Sequence, residues 1–365
     1  KYITILHNII NKEKAMSRKV GFGIIGLGAI AETHIRAIEN NDNCRFIGAF
    51  DQVEGKAEAF CARHNCGIPY SNLDDFLSNP DIEVVTIATP SGYHLEPALK
   101  AIEKGKNVII EKPMEITPER EKMILDKAKE MSVIATGVFQ SRFYDAPVLI
   151  KKAIEEGRFG RLTLVDAQVK WFRSQEYYDS GAWRGTWKVD GGGALMNQSI
   201  HAIDLLQWFV GKVDEVEAYT ATLSHERIEV EDTAVATVKF ENGALGVIEG
   251  STSVYPGFLK KIEISGTEGS VVLEEEALKV WSFKNETEED EKIRREFFNK
   301  NEFGGGASDP KAINTLGHER EFHDLADAII NKREPKVSGE SASEAVKIIT
   351  AIYESARIGK SVKVK

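Results

Sequence analysis

Cysteine is scarce in this sequence, with three in 365 residues, at Cys44, Cys61 and Cys66. So small and odd a set cannot frame a disulfide scaffold and suits a reducing compartment, which leads us to expect a cytoplasmic protein. No stretch nears the roughly 20 consecutive apolar residues of a membrane span, so no membrane partner is expected. Basic residues are outnumbered by acidic ones, 47 to 57, giving a net charge of -10. With few clustered cations to neutralise phosphates, nucleic acid is not an expected partner. Clustered metal ligands are lacking too. His318 and His323 flank Glu319 to Phe322, five apart rather than the four that would place two imidazoles on one helical face. There is no Cys and His set of zinc spacing and no G-x-S-x-G nucleophile elbow, so no bound metal is expected.

What remains is ordinary globular material, 42% hydrophobic and of a length that suggests two domains. The apolar run Val20 to Ile25 leads into Gly26-Leu27-Gly28-Ala29-Ile30-Ala31 and then a helix-like stretch, Glu32 to Asn40. Strand, G-x-G-x-x-A and helix in that order form the context of a dinucleotide fingerprint. Gly26 allows the turn, Gly28 lets the backbone approach a pyrophosphate, and Ala31 lets the helix pack closely. Strand Arg45 to Phe50 ends in Asp51, 20 residues past Ala31, placed to accept hydrogen bonds from the adenosine ribose. A carboxylate there repels a ribose phosphate and no base follows it directly, which favours NAD over NADP; Lys56 is the nearest base.

Helices at 55–64, 73–78, 95–104 and 118–131 alternate with strands at 84–88, 107–111 and 134–140, the pattern of a doubly wound parallel sheet. Ligands on such sheets bind beyond the carboxyl ends of the strands. Asp51, Thr89, Pro90, His94, Glu111, Lys112 and Gln140 all fall there and, with Gly26, Leu27, Gly28, Ala29 and Ile30, are the expected cofactor contacts. After a helix at 146–156 the texture changes to strand alternations at 162–172, 215–223, 233–240, 246–253 and 260–265. Turns at Glu241-Asn242-Gly243 and Gly266-Thr267-Glu268-Gly269 favour antiparallel hairpins. Helices at 318–331 and 341–358 close the chain, after a polar stretch from Asn285 to Pro310 that reads as a surface loop. The expected fold is α/β: a Rossmann domain at 16–142, then a domain at 143–365 with a large, mostly antiparallel open sheet. Residues 1–15 read as an upstream extension outside both.

A second polar constellation follows Gly191-Gly192-Gly193. On a helix, Asn197, His201 and Asp204, spaced by four and three, share one face, with Ile200, Ile203, Leu206 and Val210 on another. Just upstream, residues 171–187 hold three of the five tryptophans together with Tyr177, Tyr178, Arg173 and Arg184. Aromatic faces with forked cations suit a carbohydrate, including a uronate or nucleotide-linked sugar, and equally suit packing. Trp171, Arg173 and Arg184 join Asn197 and Asp204 as candidate substrate contacts. Arg142 could serve substrate or cofactor, or pair with an acidic neighbour.

These motifs, the Gly26 fingerprint, Asp51, Thr89-Pro90 with His94, Glu111-Lys112-Pro113, and the triple glycine before Asn197 and His201, together resemble the Gfo/Idh/MocA oxidoreductases over nearly the whole chain. The resemblance implies an NAD(P)-binding Rossmann domain and a C-terminal α/β domain whose open sheet mediates assembly as a homodimer or homotetramer. It implies hydride exchange between nicotinamide and a hydroxyl or keto carbon of a sugar, cyclitol or sugar derivative. By that resemblance Lys112 and His201 are the catalytic pair. Many cyclitol and sugar dehydrogenases of the family carry Asp where this chain has Asn197. An amide cannot take up a proton, so proton transfer falls to Lys112 or His201. Burial and a cationic nicotinamide would favour a neutral Lys112 as base, whereas an imidazole titrates nearer neutrality unaided. NAD-dependent glycoside hydrolysis through transient oxidation, and a non-catalytic NAD-binding regulator, are the alternatives to a dehydrogenase.

Overall fold

The structure, a computed structural model, describes residues 18–298 and 315–365. The extension expected at 1–15 lies outside the described residues. The described chain divides into two compact units.

The first unit carries a six-stranded sheet in the order β3-β2-β1-β4-β5-β6. Its strands are β1 Val20–Ile25, β2 Cys44–Phe50, β3 Ile68–Tyr70, β4 Val84–Ile87, β5 Asn107–Ile110 and β6 Ala135–Gly137. Every pairing is parallel. β1 and β4 are buried along their whole length, as strands covered on both faces must be, which is why they read as apolar runs broken only by Thr86. The strand order reverses between β1 and β4, so the crevice for a ligand opens where Gly26 and Thr89 leave those two strands.

This unit is not one stretch of sequence, because residues 315–340 belong to it. Helix Leu316–Asn331 inserts Phe322, Leu325 and Ala326 among Phe22, Ile35 and Ile38. The rings of Phe22 and Phe322 stack at 5.6 Å between centroids. A cut near residue 142 therefore leaves part of the first unit's core on the far side.

The second unit carries an eight-stranded sheet in the order β13-β12-β11-β7-β10-β9-β8-β14. Its strands are β7 Leu162–Lys170, β8 Val213–Ala221, β9 Thr233–Phe240, β10 Leu245–Ser251, β11 Lys261–Gly266, β12 Gly269–Glu274, β13 Ala277–Phe283 and β14 Val362–Lys363. Both expected hairpins form, β9 with β10 and β11 with β12, and the sheet is antiparallel except where β7 meets β10. In β9 burial alternates residue by residue, the sign of one covered and one open face. On the open face Leu164, Tyr219, Val235 and Leu245 are exposed.

The loop expected from Asn285 to Pro310 is in part a helix, Glu288–Phe297; residues 299–310 of that stretch lie outside the described residues. Thr287 and Asp290 form a capping box, and four acidic residues occupy the first turn, where the helix dipole favours negative charge. Asp290 also takes a bidentate Arg158 and the indole N–H of Trp281. The acidic residues of that polar stretch are the helix's own start signal. No helix among the described residues is long and apolar enough to cross a membrane.

Candidate active site

On the first unit, the fingerprint turn has the form its residues require. Gly26 has φ of +89°, and a Cβ on it would stand 2.7 Å from the amide nitrogen of Thr89, so only glycine fits. Gly28 and Ala29 are exposed, with nothing within 4 Å of where a Cβ on Gly28 would lie, which leaves room for a pyrophosphate at the start of helix Ala31–Glu39. Asp51 Oδ2 accepts the amide of Leu27 at 2.8 Å and Oδ1 that of Val53 at 2.9 Å. Lys56 Nζ stands 3.6 Å from Oδ2. Asp51 thus ties the glycine turn to the second strand end.

Thr89 donates to the carbonyl of Tyr93. His94, expected to touch the cofactor, is 1% exposed, with Nε2 2.8 Å from the carbonyl of Thr89 and Nδ1 3.0 Å from that of Pro113. Carbonyls only accept, so each contact needs a proton on the nitrogen facing it. The ring therefore ties the Thr89 turn to the Lys112–Pro113 turn, whose peptide is cis. Glu111 is likewise buried, with Oε1 2.8 Å from His34 Nε2 and Oε2 accepting the amide of Lys112 at 3.1 Å. Burial raises the Glu111 carboxyl, but the hydrogen bond and charges of His34, His318 and Lys112 outweigh it and bring the group down to about 2. His34, Glu111 and His318 place donor atoms within 4.8 Å of one another, a set that could also hold a metal. Lys112 follows β5 and is half-buried; Gln140 opens a short 3-10 turn after β6.

On the second unit, the triple glycine enters not an α-helix but a π-helical turn, Ala194–Ser199, continued by helix Ile200–Val210. The wider turn breaks the expected register of three and four, and π turns of this kind gather at functional sites. Gly193 is obligatory there, since a Cβ would fall 1.8 Å from the carbonyl of Glu231. Glu231 itself accepts the amides of Gly193 and Leu195 and the hydroxyl of Tyr353. Burial outweighs those donors and pushes its carboxyl up to about 7.

Asp204 does not line a substrate face. It has no exposed surface, and both its oxygens are taken by Arg142, at 2.8 Å from Nε and 2.5 Å from Nη2. Burial lifts its carboxyl above the ordinary value in spite of Arg142. The pair spans a core, so the substrate contact expected of Asp204 is withdrawn, and Arg142 is its structural counter-ion. Asn197 donates to Asp190 Oδ1 at 2.5 Å and accepts from Gln198 Nε2 at 2.7 Å. His201 is half-buried in the first turn of helix Ile200–Val210.

The aromatic and arginine segment gathers beside this turn. Arg173 Nη2 donates to Gln198 Oε1 at 2.8 Å, and Gln198 and Arg184 both donate to the hydroxyl oxygen of Tyr177, at 3.0 and 2.7 Å. The Arg173 guanidinium lies 5.1 Å from the Trp171 ring, and that of Arg184 lies 4.4 Å from Tyr177 and 4.5 Å from Trp183. Asp190, Asn197, Gln198, Tyr177, Arg173 and Arg184 therefore make one polar chain. Asp190, Gln198 and Glu231 were not singled out from the sequence. Asp190, immediately before the triple glycine, carried the one available signal.

The chain has known counterparts. Residues 20–139 match the oxidoreductase family with an NAD-binding Rossmann fold, and residues 148–272 match the GFO/IDH/MocA C-terminal domain. The chain belongs to the Gfo/Idh/MocA oxidoreductases. A crystal structure of the WlbA dehydrogenase from Bordetella pertussis, in complex with NADH and UDP-GlcNAcA, is 35% identical at a TM-score of 0.86, over 95% of this chain and 98% of that one. Levoglucosan dehydrogenase, in complex with NADH and levoglucosan, is 26% identical at a TM-score of 0.83, over 95% of this chain and 100% of that one. The scyllo-inositol 2-dehydrogenase (NAD(+)) of Bacillus subtilis strain 168 is 28% identical over 71% of this chain and 75% of its own. The chain is an NAD-dependent oxidoreductase of the dehydrogenase type, and its first unit is the NAD-binding one.

Proposed function

We propose that this Gfo/Idh/MocA protein oxidises or reduces a ring carbon of a sugar that carries an anionic group, a uronate or a nucleotide-linked sugar, with NAD as hydride partner. The observation that carries the reading is Arg184, half-buried and hydrogen-bonded to Tyr177, whose hydroxyl Gln198 joins to the turn that bears Asn197, with the buried Arg173 holding Gln198 in place. Guanidinium forks grip carboxylate or phosphate, while the adjoining rings of Trp171, Tyr177 and Trp183 suit the apolar face of a sugar. The likeness to a protein bound to UDP-GlcNAcA, itself anionic, supports the same class.

In this reading NAD accepts the hydride, and the chain's task is to hold the alcohol and move its proton. Lys112 is the first candidate for the base, with His201 as the alternative, and Asn197 orients a substrate hydroxyl because its amide donates and accepts but takes up no proton. With NAD supplied, NADH absorbance across free sugars, cyclitols, uronates and nucleotide sugars tests the class. We expect turnover with the anionic members, loss of turnover with retained NAD binding in Lys112→Ala, and a raised KM for the anionic substrate in Arg184→Ala. Full activity in Lys112→Ala, or turnover of neutral sugars alone, would defeat the proposal.

A second copy of the chain is the proposed cover for the open sheet face bearing Leu164, Tyr219, Val235 and Leu245, as a homodimer or homotetramer; light scattering of the purified protein measures it. The free thiols of Cys44, Cys61 and Cys66 fit the proposed cytoplasmic location.

A further inference from the structure

Behind the strand end that carries Lys112 lies a buried polar cluster with no part in the chemistry above. His34, on helix Ala31–Glu39, has no exposed surface. Its Nδ1 lies 2.7 Å from Thr86 Oγ1 on β4, and its Nε2 2.8 Å from Glu111 Oε1 at the end of β5. An ionised carboxylate only accepts, so the proton on Nε2 points at Glu111, while the Thr86 hydroxyl can donate to Nδ1 or accept from it. His318 reaches the same group from helix Leu316–Asn331, its ring centroid 6.1 Å from that of His34. The other oxygen of Glu111 accepts the main-chain N–H of Lys112.

We propose that His34 is a positioning residue for Lys112: it fixes one oxygen of the Glu111 carboxylate, whose other oxygen holds the Lys112 main chain. The proposal rests on the reading of Lys112 as the residue that handles the proton. A buried carboxylate is stable as an anion only with partners, and Glu111 draws them from three elements: His34, His318 and Lys112. Each constrains the position of the charge nearest the reacting group. Such support is worth a large rate factor because a small misplacement of a catalytic group is costly.

The test compares wild type with His34→Ala, His34→Gln and Glu111→Gln by two readouts. One is the rate of acylation at Lys112 at a single fixed pH, located by mass spectrometry, which needs no substrate and reads how the residue is held. The other is NADH formation with whichever sugar the wild type oxidises. Glu111→Gln keeps the shape but turns one acceptor oxygen into a donor amide, so one of the two contacts is lost and the Lys112 acylation rate should change by about threefold or more. His34→Ala should lower kcat by about 10- to 100-fold without loss of NAD affinity. His34→Gln, whose amide can donate to the same carboxylate, should recover most of that loss. An unchanged Lys112 acylation rate in Glu111→Gln overturns the proposal even if no substrate is found. So does wild-type kcat in a folded His34→Ala, or a stoichiometric divalent ion held by His34, Glu111 and His318 in the purified protein. If His34→Ala does not fold, Glu111→Gln and His34→Gln still decide. Silence of the wild type across all sugars strikes only the functional reading.

Discussion

Replacing Arg142 with methionine keeps much of the side chain's bulk and deletes its charge. The guanidinium is 4% exposed, donates to both oxygens of the fully buried Asp204 and to Ser341 Oγ, and lies 5.6 Å from the Trp208 ring. In the variant, Asp204 retains Gln207 at 3.5 Å as its remaining side-chain contact among the described hydrogen bonds. Breaking such a pair from one side costs about 3–5 kcal/mol, because the charge left behind is buried without compensation. At about 2–4 °C per kcal/mol for a unit of this size, Tm should fall by roughly 6–20 °C. The double variant Arg142→Met with Asp204→Leu removes both charges and should return to within about 1–2 kcal/mol of wild type. Urea and thermal unfolding followed by circular dichroism measure both, and KM for the sugar should not change in any variant that folds. The reasoning fails if the double variant is as unstable as the single one. It fails equally if Asp204→Asn raises KM at wild-type stability, since Asp204 would then touch substrate.

Glu231 sets a pH-dependent element of stability. Its carboxyl is raised from 4.5 to about 7, so the folded state binds the proton more tightly than the unfolded state does. That contribution is fully present below the unfolded value and is lost as pH rises through the folded one, amounting to about 3 kcal/mol across the window. Urea midpoints measured over that window should flatten in Glu231→Gln; the same slope in both proteins would refute the assignment. Asp51→Ala removes the carboxylate that discriminates against a ribose phosphate and also the bonds to Leu27 and Val53. kcat/KM with NAD should fall about tenfold or more, equivalent to about 1.4 kcal/mol, and the preference over NADP should shrink. An unchanged ratio of the two cofactors would rule out that role.

The parts legible in the sequence were those written locally. β1 and β4 are covered on both faces and are therefore apolar but for Thr86, and Gly26, Gly28 and Asp51 follow strand ends at spacings fixed by backbone geometry. The β9 to β10 and β11 to β12 hairpins announced themselves by their glycine turns, whereas β12, β13 and the three-residue β3 did not stand out by alternation. The site was harder because its partners are distant: Arg142 meets Asp204 across 62 positions, Glu231 meets Gly193 across 38, and His34 meets Glu111 across 77. No local pattern records such pairings. Asp204 was misplaced for a further reason. The face shared with Asn197 and His201 assumed an α-helical period, and the turn Ala194–Ser199 is π-helical.

The late return of helix Leu316–Asn331 to the first unit has a consequence for how the protein is made. On the ribosome, β1 through β6 emerge well before that helix, at about 5–20 residues per second, so Phe22, Ile35 and Ile38 wait on the order of ten seconds for Phe322 and Leu325 to cover them. Nascent chains stopped before residue 316 should expose that face to chaperones, and the nucleotide-binding half should mature only after nearly all of the second unit has been synthesised. Anyone grafting this cofactor module onto another protein must move two separate pieces of gene, not one.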